Sequence, residues 1–434
     1  MLDIKYIVEN TDAVRRSIKE RHVKCDIDEV IRLYEAQKSL KTEIEGLRAE
    51  ANQTASAMKT AKSQDERAPL IARGGQIKSD IQALTDKVTE AEDAFHQAMM
   101  TVPNALAGDV PSGQDDNENV AISHFMEPTK FDFQPKDHLE LGAELDLIDF
   151  EAGAKVTGSK FYFLKNEAVL LEMAIKNLAM RMAMQKGFMP MITPDLARND
   201  VLEGIGFNPR GEESNTYMLD GLDLSLIATA EIAAGGYHRD EIIDTSKLPI
   251  KYVADSHCFR REAGSGGQSS KGMYRVHQFS KIELFVFCTP EQSAQMHEEI
   301  RELEEAIYQA LKIPYRVMNI CAGDLGAAAY KKYDIEAWMP GKDDGGAYGE
   351  VTSASNCTSF QARRLNIRYK NPETGKNEFV HTLNGTAAAL SRTPVAILEN
   401  YQTKDGEVII PEVLRPFMGM DKITKDKSVL KNLG

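Results

Sequence analysis

Between Asp28 and Val102 apolar residues recur at heptad spacing, and no other feature of this 434-residue chain limits its fold as strongly. In the second half two rows interleave: Leu70, Ile77, Leu84, Ala91 and Ala98 with Ile81, Val88, Phe95 and Val102. In the first half the rows are Leu33, Leu40 and Leu47 with Ile44, Ala51 and Met58. Two apolar rows every seven residues form the seam of a coiled coil. The stretch carries only Tyr34 and Phe95 as aromatics and is dense in Ala, Glu, Lys, Gln and Leu, which favour helix. The polar run Ser63 to Pro69 separates the halves, and its proline is expected to interrupt the first helix. The pattern predicts two antiparallel helices of about 33 residues, about 50 Å long at ~1.5 Å per residue. A two-row seam buries one face of each helix and leaves the rest to solvent. Heptads alone suit a dimerisation coil or a spacer. Between Ala51 and Ser79, however, Lys59, Lys62, Arg67, Arg73 and Lys78 face only Asp65 and Glu66, a net +3. Such a basic tip suits a phosphate backbone, and a merely solvated face is the plain alternative.

That local charge stands out because the chain carries 52 Lys and Arg against 66 Asp and Glu, a net charge of −14. The balance argues against nonspecific coating of nucleic acid, and no DNA partner is expected. No run approaches the roughly 20 apolar residues of a membrane helix, so no membrane partner is expected either. The cysteines, Cys25, Cys258, Cys288, Cys321 and Cys357, are odd in number and lack C-x-x-C pairs, which reads as reduced thiols. MLDIKYIVEN has neither an apolar h-region nor an Arg-rich leader. A cytoplasmic location is expected, with an organelle matrix after leader removal as the alternative.

Pro103-Asn104 ends the helical region, and Pro111 to Asp116 reads as a linker, so domains are expected at 1–110 and 111–434. Beyond Asn117, Phe161 to Leu164 and Ile282 to Phe287 read as strands, and Ala168 to Lys186 and Pro290 to Leu311 as helices. Strands in bursts without βαβ alternation predict an α+β fold with an antiparallel sheet.

Three segments concentrate unusual residues. Gly187 to Pro194 reads as a turn and a strand stopped by proline. Cys258 to Glu283 holds a glycine-rich loop between two strand-like runs, entered at Arg260 and left at Arg275. Guanidinium forks flanking a loop suit polyphosphate, because they bind phosphate oxygens bidentately; a surface hairpin is the plain reading. His381 to Tyr401 is a small-residue run opening a helix, with Arg392 among apolar residues where burial requires an anionic partner.

In this order the segments resemble the three motifs of class II aminoacyl-tRNA synthetases, and the detail resembles the seryl-tRNA synthetases of the bacterial and organellar type. The resemblance runs nearly end to end, through Met1 to Lys5, the coiled coil, Lys160 to Leu164, Thr229-Ala230-Glu231, Gly349 to Thr358, Thr382 to Gly385 and Pro411 to Phe417. It implies a six- or seven-stranded antiparallel sheet flanked by helices, a homodimer joined around Pro194, and an N-terminal tRNA-binding domain with a coiled-coil arm. The implied activity is ATP-dependent formation of seryl-adenylate from L-serine, then transfer to the 3′ end of tRNA(Ser), with tRNA(Sec) a further substrate.

Roles follow by the same resemblance. Arg260 matches the arginine on the α-phosphate, Arg261 and Glu262 lie at the ATP, Val276 offers backbone, and Phe279 stacks adenine. Arg392 matches the arginine on the γ-phosphate. Glu350 and Ser353, with Val351 and Thr352 between them, match the segment that carries Mg2+ at the ATP. Thr229, Ala230, Glu231, Glu283 and Thr386 match the serine pocket, Glu283 taking the substrate hydroxyl. Arg260, Glu283 and Arg392 would carry catalysis, and Lys59, Lys62, Arg67, Arg73 and Lys78 would meet tRNA.

Departures from the family pattern are Ala228 in place of a usual proline, and Ala233 to Gly236 where bulkier residues are common. Gln268 to Lys271 stand where relatives carry charged residues. Thr386 stands for serine, Ser391 for glycine, and Pro394 follows. Two other functions fit the residues less well: a catalytically inactive regulatory paralogue, which would not need the complete set, and an amino-acid ligase loading a carrier protein, which would not need the arm.

Overall fold

The computed structural model describes residues 1–208, 215–262 and 271–432, and the chain divides into two compact units, Met1–Ala105 and Leu106–Gly434.

In the first unit two short helices, α1 (Ile4–Glu9) and α2 (Thr11–Glu20), precede a long hairpin of α3 (Ile27–Thr60) and α4 (Gln64–Met100). The heptad rows meet as expected: Ile44, Ile77 and Leu84 are buried along the seam, and Leu40, Leu47, Leu70, Ile81 and Val88 are half-buried. At the base, Ile7, Val14, Ile27, Val30, Met99 and Val102 form a separate core. The turn differs from the expectation. Pro69 does not break the first helix but lies inside α4. The break falls at Ala61 to Ser63, where the Ser63 hydroxyl accepts the Glu66 N–H at 3.2 Å and Glu66 accepts the Lys62 N–H at 2.7 Å. That reciprocal cap satisfies donors that would otherwise be orphaned, and Pro69 in the second turn removes only one helical bond.

The second unit is built on an eight-stranded sheet. In chain order its strands are β1 (Val120–Phe125), β2 (Met189–Ile192), β3 (Ile250–Phe259), β4 (Gln278–Cys288), β5 (Tyr315–Asn319), β6 (Lys331–Met339), β7 (Ala347–Thr358) and β8 (His381–Ala389). In space the order is β1-β5-β6-β7-β8-β4-β3-β2, antiparallel throughout except for the parallel pair β2 and β3. The α+β class holds, with more strands than the six or seven expected and one parallel edge. The segment Phe161 to Leu164 is mostly not strand: only Phe163–Leu164 pairs, with Ile148–Asp149.

Helices α5 (His138–Glu144), α6 (Glu167–Gln185), α7 (Ala230–Gly236), α8 (Ser293–Ala310) and α9 (Thr393–Asn400) complete the elements around the site. Strand β4 explains why its sequence reads as one apolar run. Ile282, Leu284, Val286 and Cys288 enter the main core with α6 and α8, while Phe285 and Phe287 enter a second cluster with Ile232 of α7. Both faces are buried, so period-2 alternation vanishes except at Phe279, Lys281 and Glu283. On α8, Met296, Ile300, Leu303 and Ile307 are buried at helical spacing, and Gly385 of β8 lets that helix approach. A Cβ on Gly385 would lie 2.3 Å from Ile300 Cγ2.

Pro111 to Asp116, expected as a linker, is fastened to the second unit. Ala322 and Gly323 donate their N–H groups to the carbonyls of Pro111 at 2.9 Å and Gly113 at 3.0 Å. All five cysteines are free; four are buried and Cys25 is half-buried. Among the described residues no helix is long and apolar enough to cross a membrane.

Candidate active site

A cavity of about 460 Å³ opens on the sheet face opposite α6 and α8, walled by β4, β7 and β8, and by α7 and the turn Gly272–Tyr274. It gathers Arg260, Glu283, Arg392, Thr229, Glu231, Thr386, Glu262, Val276, Phe279, Glu350, Val351, Thr352 and Ser353 from five regions of sequence. Two expected members stand apart. Ala230 is fully buried in the first turn of α7. Arg261 is exposed, and its backbone N–H donates to the Asn215 carbonyl at 2.9 Å. Lys59, Lys62, Arg67, Arg73 and Lys78 are all exposed on the hairpin unit, and Arg73 is paired with Glu50 at 2.6 Å. Of the altered motif 2 loop, Gln268 to Ser270 lie outside the described residues.

One end of the cavity is a carboxylate pocket. Thr229 caps α7 by accepting the Glu231 N–H at 3.2 Å, and Thr386 on β8 pairs in register with Glu283 on β4. Lys281, two residues before Glu283 and so on the same face, pairs with it at 2.6 Å. Glu231 receives the amides of Gln361 at 2.7 Å and Asn384 at 2.8 Å, both on Oε1. Burial, then the nearby Glu283 charge, push Glu231 up to about 7, against Gln361, Lys281 and Arg260. Burial also raises Glu283 above its ordinary value, with Lys281 pulling the other way. Behind the wall, Glu304 of α8 accepts the Thr352 hydroxyl at 2.7 Å and the Thr386 N–H at 2.9 Å, and burial holds it well above the usual carboxylate range. It is a support for β7 and β8.

The other end is cationic. The Arg260 guanidinium lies over the Phe279 ring at 5.3 Å and donates to the Ala228 carbonyl at 3.3 Å. Arg392, at the start of α9, pairs with Glu350 at 3.1 Å and lies over the Tyr274 ring at 4.7 Å. Burial opposes the Arg392 charge, and Glu350 and Tyr274 outweigh it, so the guanidinium sits above its ordinary value. Burial likewise raises Glu350, but Arg392, Lys332 and Arg260 pull it below the usual carboxylate range. Pro394 falls in the first turn of α9, where a missing N–H costs nothing.

Glu350 and Ser353 are an odd number of residues apart, which in a regular strand would put them on opposite faces. They share the cavity because β7 bulges: Thr352 pairs with Ile335 and Glu350 with Glu336, leaving Val351 over. The cavity walls carry five cations (Arg260, Arg275, Lys281, Lys332, Arg392) against four carboxylates (Glu231, Glu262, Glu283, Glu350), in a chain of net charge −14. A site locally richer in cations than the whole chain fits a polyanion. Lys281, Lys332 with its partner Asp334 at 3.1 Å, Asn384 and Tyr274 escaped the sequence reading. Only Lys281 carried a signal, alternating with Phe279 and Glu283.

Residues 1–106 match the family model for the seryl-tRNA synthetase N-terminal domain, and residues 218–401 match that for the tRNA synthetase class II core domain (G, H, P, S and T). The chain is 54% identical to the serine–tRNA ligase of Treponema denticola, covering 98% of this chain and 100% of that one. It is 50% identical to the serine–tRNA ligase of Rubrobacter xylanophilus, with 98% and 99% covered. The crystal structure of seryl-tRNA synthetase from Pyrococcus horikoshii complexed with ATP superposes with a TM-score of 0.92 at 41% identity, covering 98% of this chain and 99% of that one.

Proposed function

This chain belongs to the seryl-tRNA synthetase family, and from that premise we propose how its own residues perform the family's reaction. It activates serine with ATP and charges tRNA with it. The observation that carries the residue assignments is the two-ended cavity, a carboxylate pocket and an arginine-lined end joined along β4.

In the first step a serine carboxylate oxygen attacks the α-phosphorus of ATP, forming the acyl–phosphate bond while the bond to pyrophosphate breaks. That carboxylate is ionised at neutral pH and needs no general base. The step calls for fixed geometry and positive charge on the phosphoryl oxygens. Arg260 holds the α-phosphate and Phe279 the adenine; Arg392 holds the γ-phosphate. Glu283 accepts the substrate hydroxyl beside Thr386, and Glu231 faces the substrate ammonium with Thr229. In the second step the terminal ribose hydroxyl of tRNA(Ser) attacks the seryl carbonyl, and AMP leaves.

Magnesium fits the residues at Glu350 and Ser353. These are hard oxygen donors on one face, and Glu350 is held ionised by its cationic neighbours. Magnesium usually keeps several waters and binds through one or two carboxylates together with substrate phosphates. Bound there, magnesium would supply further positive charge against the phosphate oxygens.

The ammonium assignment predicts a pH dependence. Glu231, raised to about 7, is protonated and uncharged below that pH and ionises above it. The serine KM in pyrophosphate exchange should therefore fall as pH rises from 6 to 8, by up to about tenfold per unit on the acid side. Glu231→Gln should raise KM and flatten the profile. A wild-type KM constant across this range would remove Glu231 from ammonium recognition.

The hairpin is the tRNA-binding element in this reading, supported by its match to the seryl N-terminal family model and by exposed Lys59, Lys62, Arg67 and Lys78. Arg73 contributes less net charge than the sequence suggested, because Glu50 lies just outside the stretch counted. The homodimer reading is supported by apolar exposure at the β2 edge and on α6, where Ile192 is 84% and Met173 56% exposed. Replacing residues 38–91 with a short glycine-rich turn spares the base core of Ile27, Val30, Met99 and Val102. The shortened enzyme should keep serine-dependent pyrophosphate exchange and a dimeric mass. Charging of tRNA should fall by about two orders of magnitude, with a flatter salt dependence, since each lost phosphate contact lowers the log–log slope by ~0.7 to 0.9. Normal charging by that enzyme would make the hairpin a spacer.

A further inference from the structure

Tyr274 holds both partners at the arginine end of the cavity. Its carbonyl accepts the Arg392 Nε–H at 3.4 Å, its ring lies under the same guanidinium, and its hydroxyl donates to the Glu350 carbonyl at 3.0 Å. Tyr274 also packs against the main core. It stands between the active-site cavity and a second one of about 440 Å³, which is also lined by His138, Glu399 and Met339. The turn that carries it, Gly272–Tyr274, is held from the side of that second cavity as well.

The hold is a buried pair remote in sequence. His138, on the first turn of α5, is 6% exposed, and Glu399, on α9, is 1% exposed. His138 Nδ1 lies 2.8 Å from Glu399 Oε1, and His138 Nε2 takes the Met273 N–H at 3.2 Å. A backbone N–H can only donate, so Nε2 accepts and the ring hydrogen sits on Nδ1, donating to Glu399. The second Glu399 oxygen accepts the Gly341 N–H at 2.9 Å, tying in the β6–β7 connection. Close approach reinforces the arrangement. Gly272 has φ +61° and a Cβ there would lie 2.1 Å from His138 Nε2, while a Cβ on Gly341 would lie 2.5 Å from Asp137 Cα. Glycine is needed at both. Glu399 rides on the same helix that Arg392 opens.

We propose that His138 is a positioning residue for adenylate formation: oriented by Glu399, it fixes the Met273–Tyr274 backbone and through it the alignment of Arg392 and Glu350. The serine pocket lies on other elements, so loss of this hold disturbs the phosphate end and leaves serine binding in place. The inference rests on reading Arg392 as a phosphate ligand.

Three substitutions separate positioning from packing. A glutamine at 138 can bring its amide oxygen to the place of Nε2, whereas asparagine reaches only as far as Nδ1. In serine-dependent pyrophosphate exchange, His138→Asn and His138→Ala should lose about tenfold or more in kcat with serine KM within about twofold of wild type. His138→Gln should stay within about threefold in kcat. A structural role alone would lower the Tm of all three without separating Gln from Asn. Added to Tyr274→Ala, His138→Asn should cost less than about a further twofold, because both act through one contact. Equal kcat losses in the Gln and Asn variants, a serine KM that moves with kcat, or an independent loss in the double variant each overturn the proposal. Arg392→Ala run alongside keeps the two readings apart: its retaining exchange overturns the phosphate assignment beneath this one.

Discussion

Wild-type enzyme should activate alanine about 10⁴-fold less efficiently than serine, and Glu283→Ala should abolish serine activation while ATP binding changes far less. Glu283 is 2% exposed, paired with Lys281 at 2.6 Å and directly across from Thr386. A substrate without the hydroxyl leaves that buried, hydrogen-bonding surface unmatched. Sites built to hydrogen-bond a substrate hydroxyl reject the analogue lacking it by about 10⁴-fold or more, far beyond what an apolar pocket achieves over one small group. The Lys281 pairing adds a second consequence. Glu283→Ala strands a lysine that is itself 7% exposed, so part of the loss arises from a mispositioned cation. Glu283→Gln keeps the shape and an acceptor oxygen, and should recover more activity than the alanine variant. Pyrophosphate exchange with each amino acid over a range of concentrations measures this directly. Comparable kcat/KM for serine and alanine in the wild type would remove Glu283 from hydroxyl recognition.

Arg392→Ala should slow adenylate formation by about 10²- to 10³-fold, the scale expected when one preorganised donor to a developing charge is removed, about 3 kcal/mol. The geometry points to a loss at the upper end. Arg392 is the nearest cation to Glu350, at 3.1 Å, and it leads the charges that keep this carboxylate ionised. Without it the Glu350 value should rise, weakening the proposed metal ligand as well. Lysine at 392 should recover only part of the rate. It can pair with Glu350 as a point charge but cannot also present a planar fork to phosphate and lie flat over Tyr274. Arg260→Ala should show a loss of similar size if, as proposed, Arg260 holds the α-phosphate; among the described residues no carboxylate forms an ion pair with it. Single-turnover adenylate formation measures these effects separately from product release. A lysine variant at the full wild-type rate would show that Arg392 supplies charge alone.

Local pattern carried much of the fold and a large part of the site. The hairpin was legible because a coiled coil is written in a short-range rule, two apolar rows every seven residues, and Ile44, Ile77 and Leu84 are buried on that rule. Its turn is set by Ser63 and Glu66, three residues apart, which form the cap, and not by Pro69, which lies inside α4. Arg260 and Arg392, the arginines proposed for phosphate, are legible as costly residues beside a glycine-rich loop or in an apolar run, and the individual roles proposed for them rest on resemblance. Arg261 is indistinguishable from Arg260 in the sequence, and only the structure separates them: Arg260 lines the cavity, and Arg261, beyond the end of β3, is exposed.

What only the tertiary structure decided is which groups meet, because meeting depends on register, bulges and close approach between segments far apart in the chain. The sequence by itself determined the helical hairpin, the α+β class and the chemistry of the motif residues, since propensity, periodicity and side-chain type are local properties. It did not determine that Glu350 and Ser353 share a face, which needs the extra residue at Val351 opposite β6. Nor did it determine that Lys332 and Asn384 join the cavity, or that Glu304 supports Thr352 and Thr386 from behind. The contact of His138 with Glu399 joins residues 261 positions apart. No periodicity reaches that far, and only the packed sheet and its helices bring the two together.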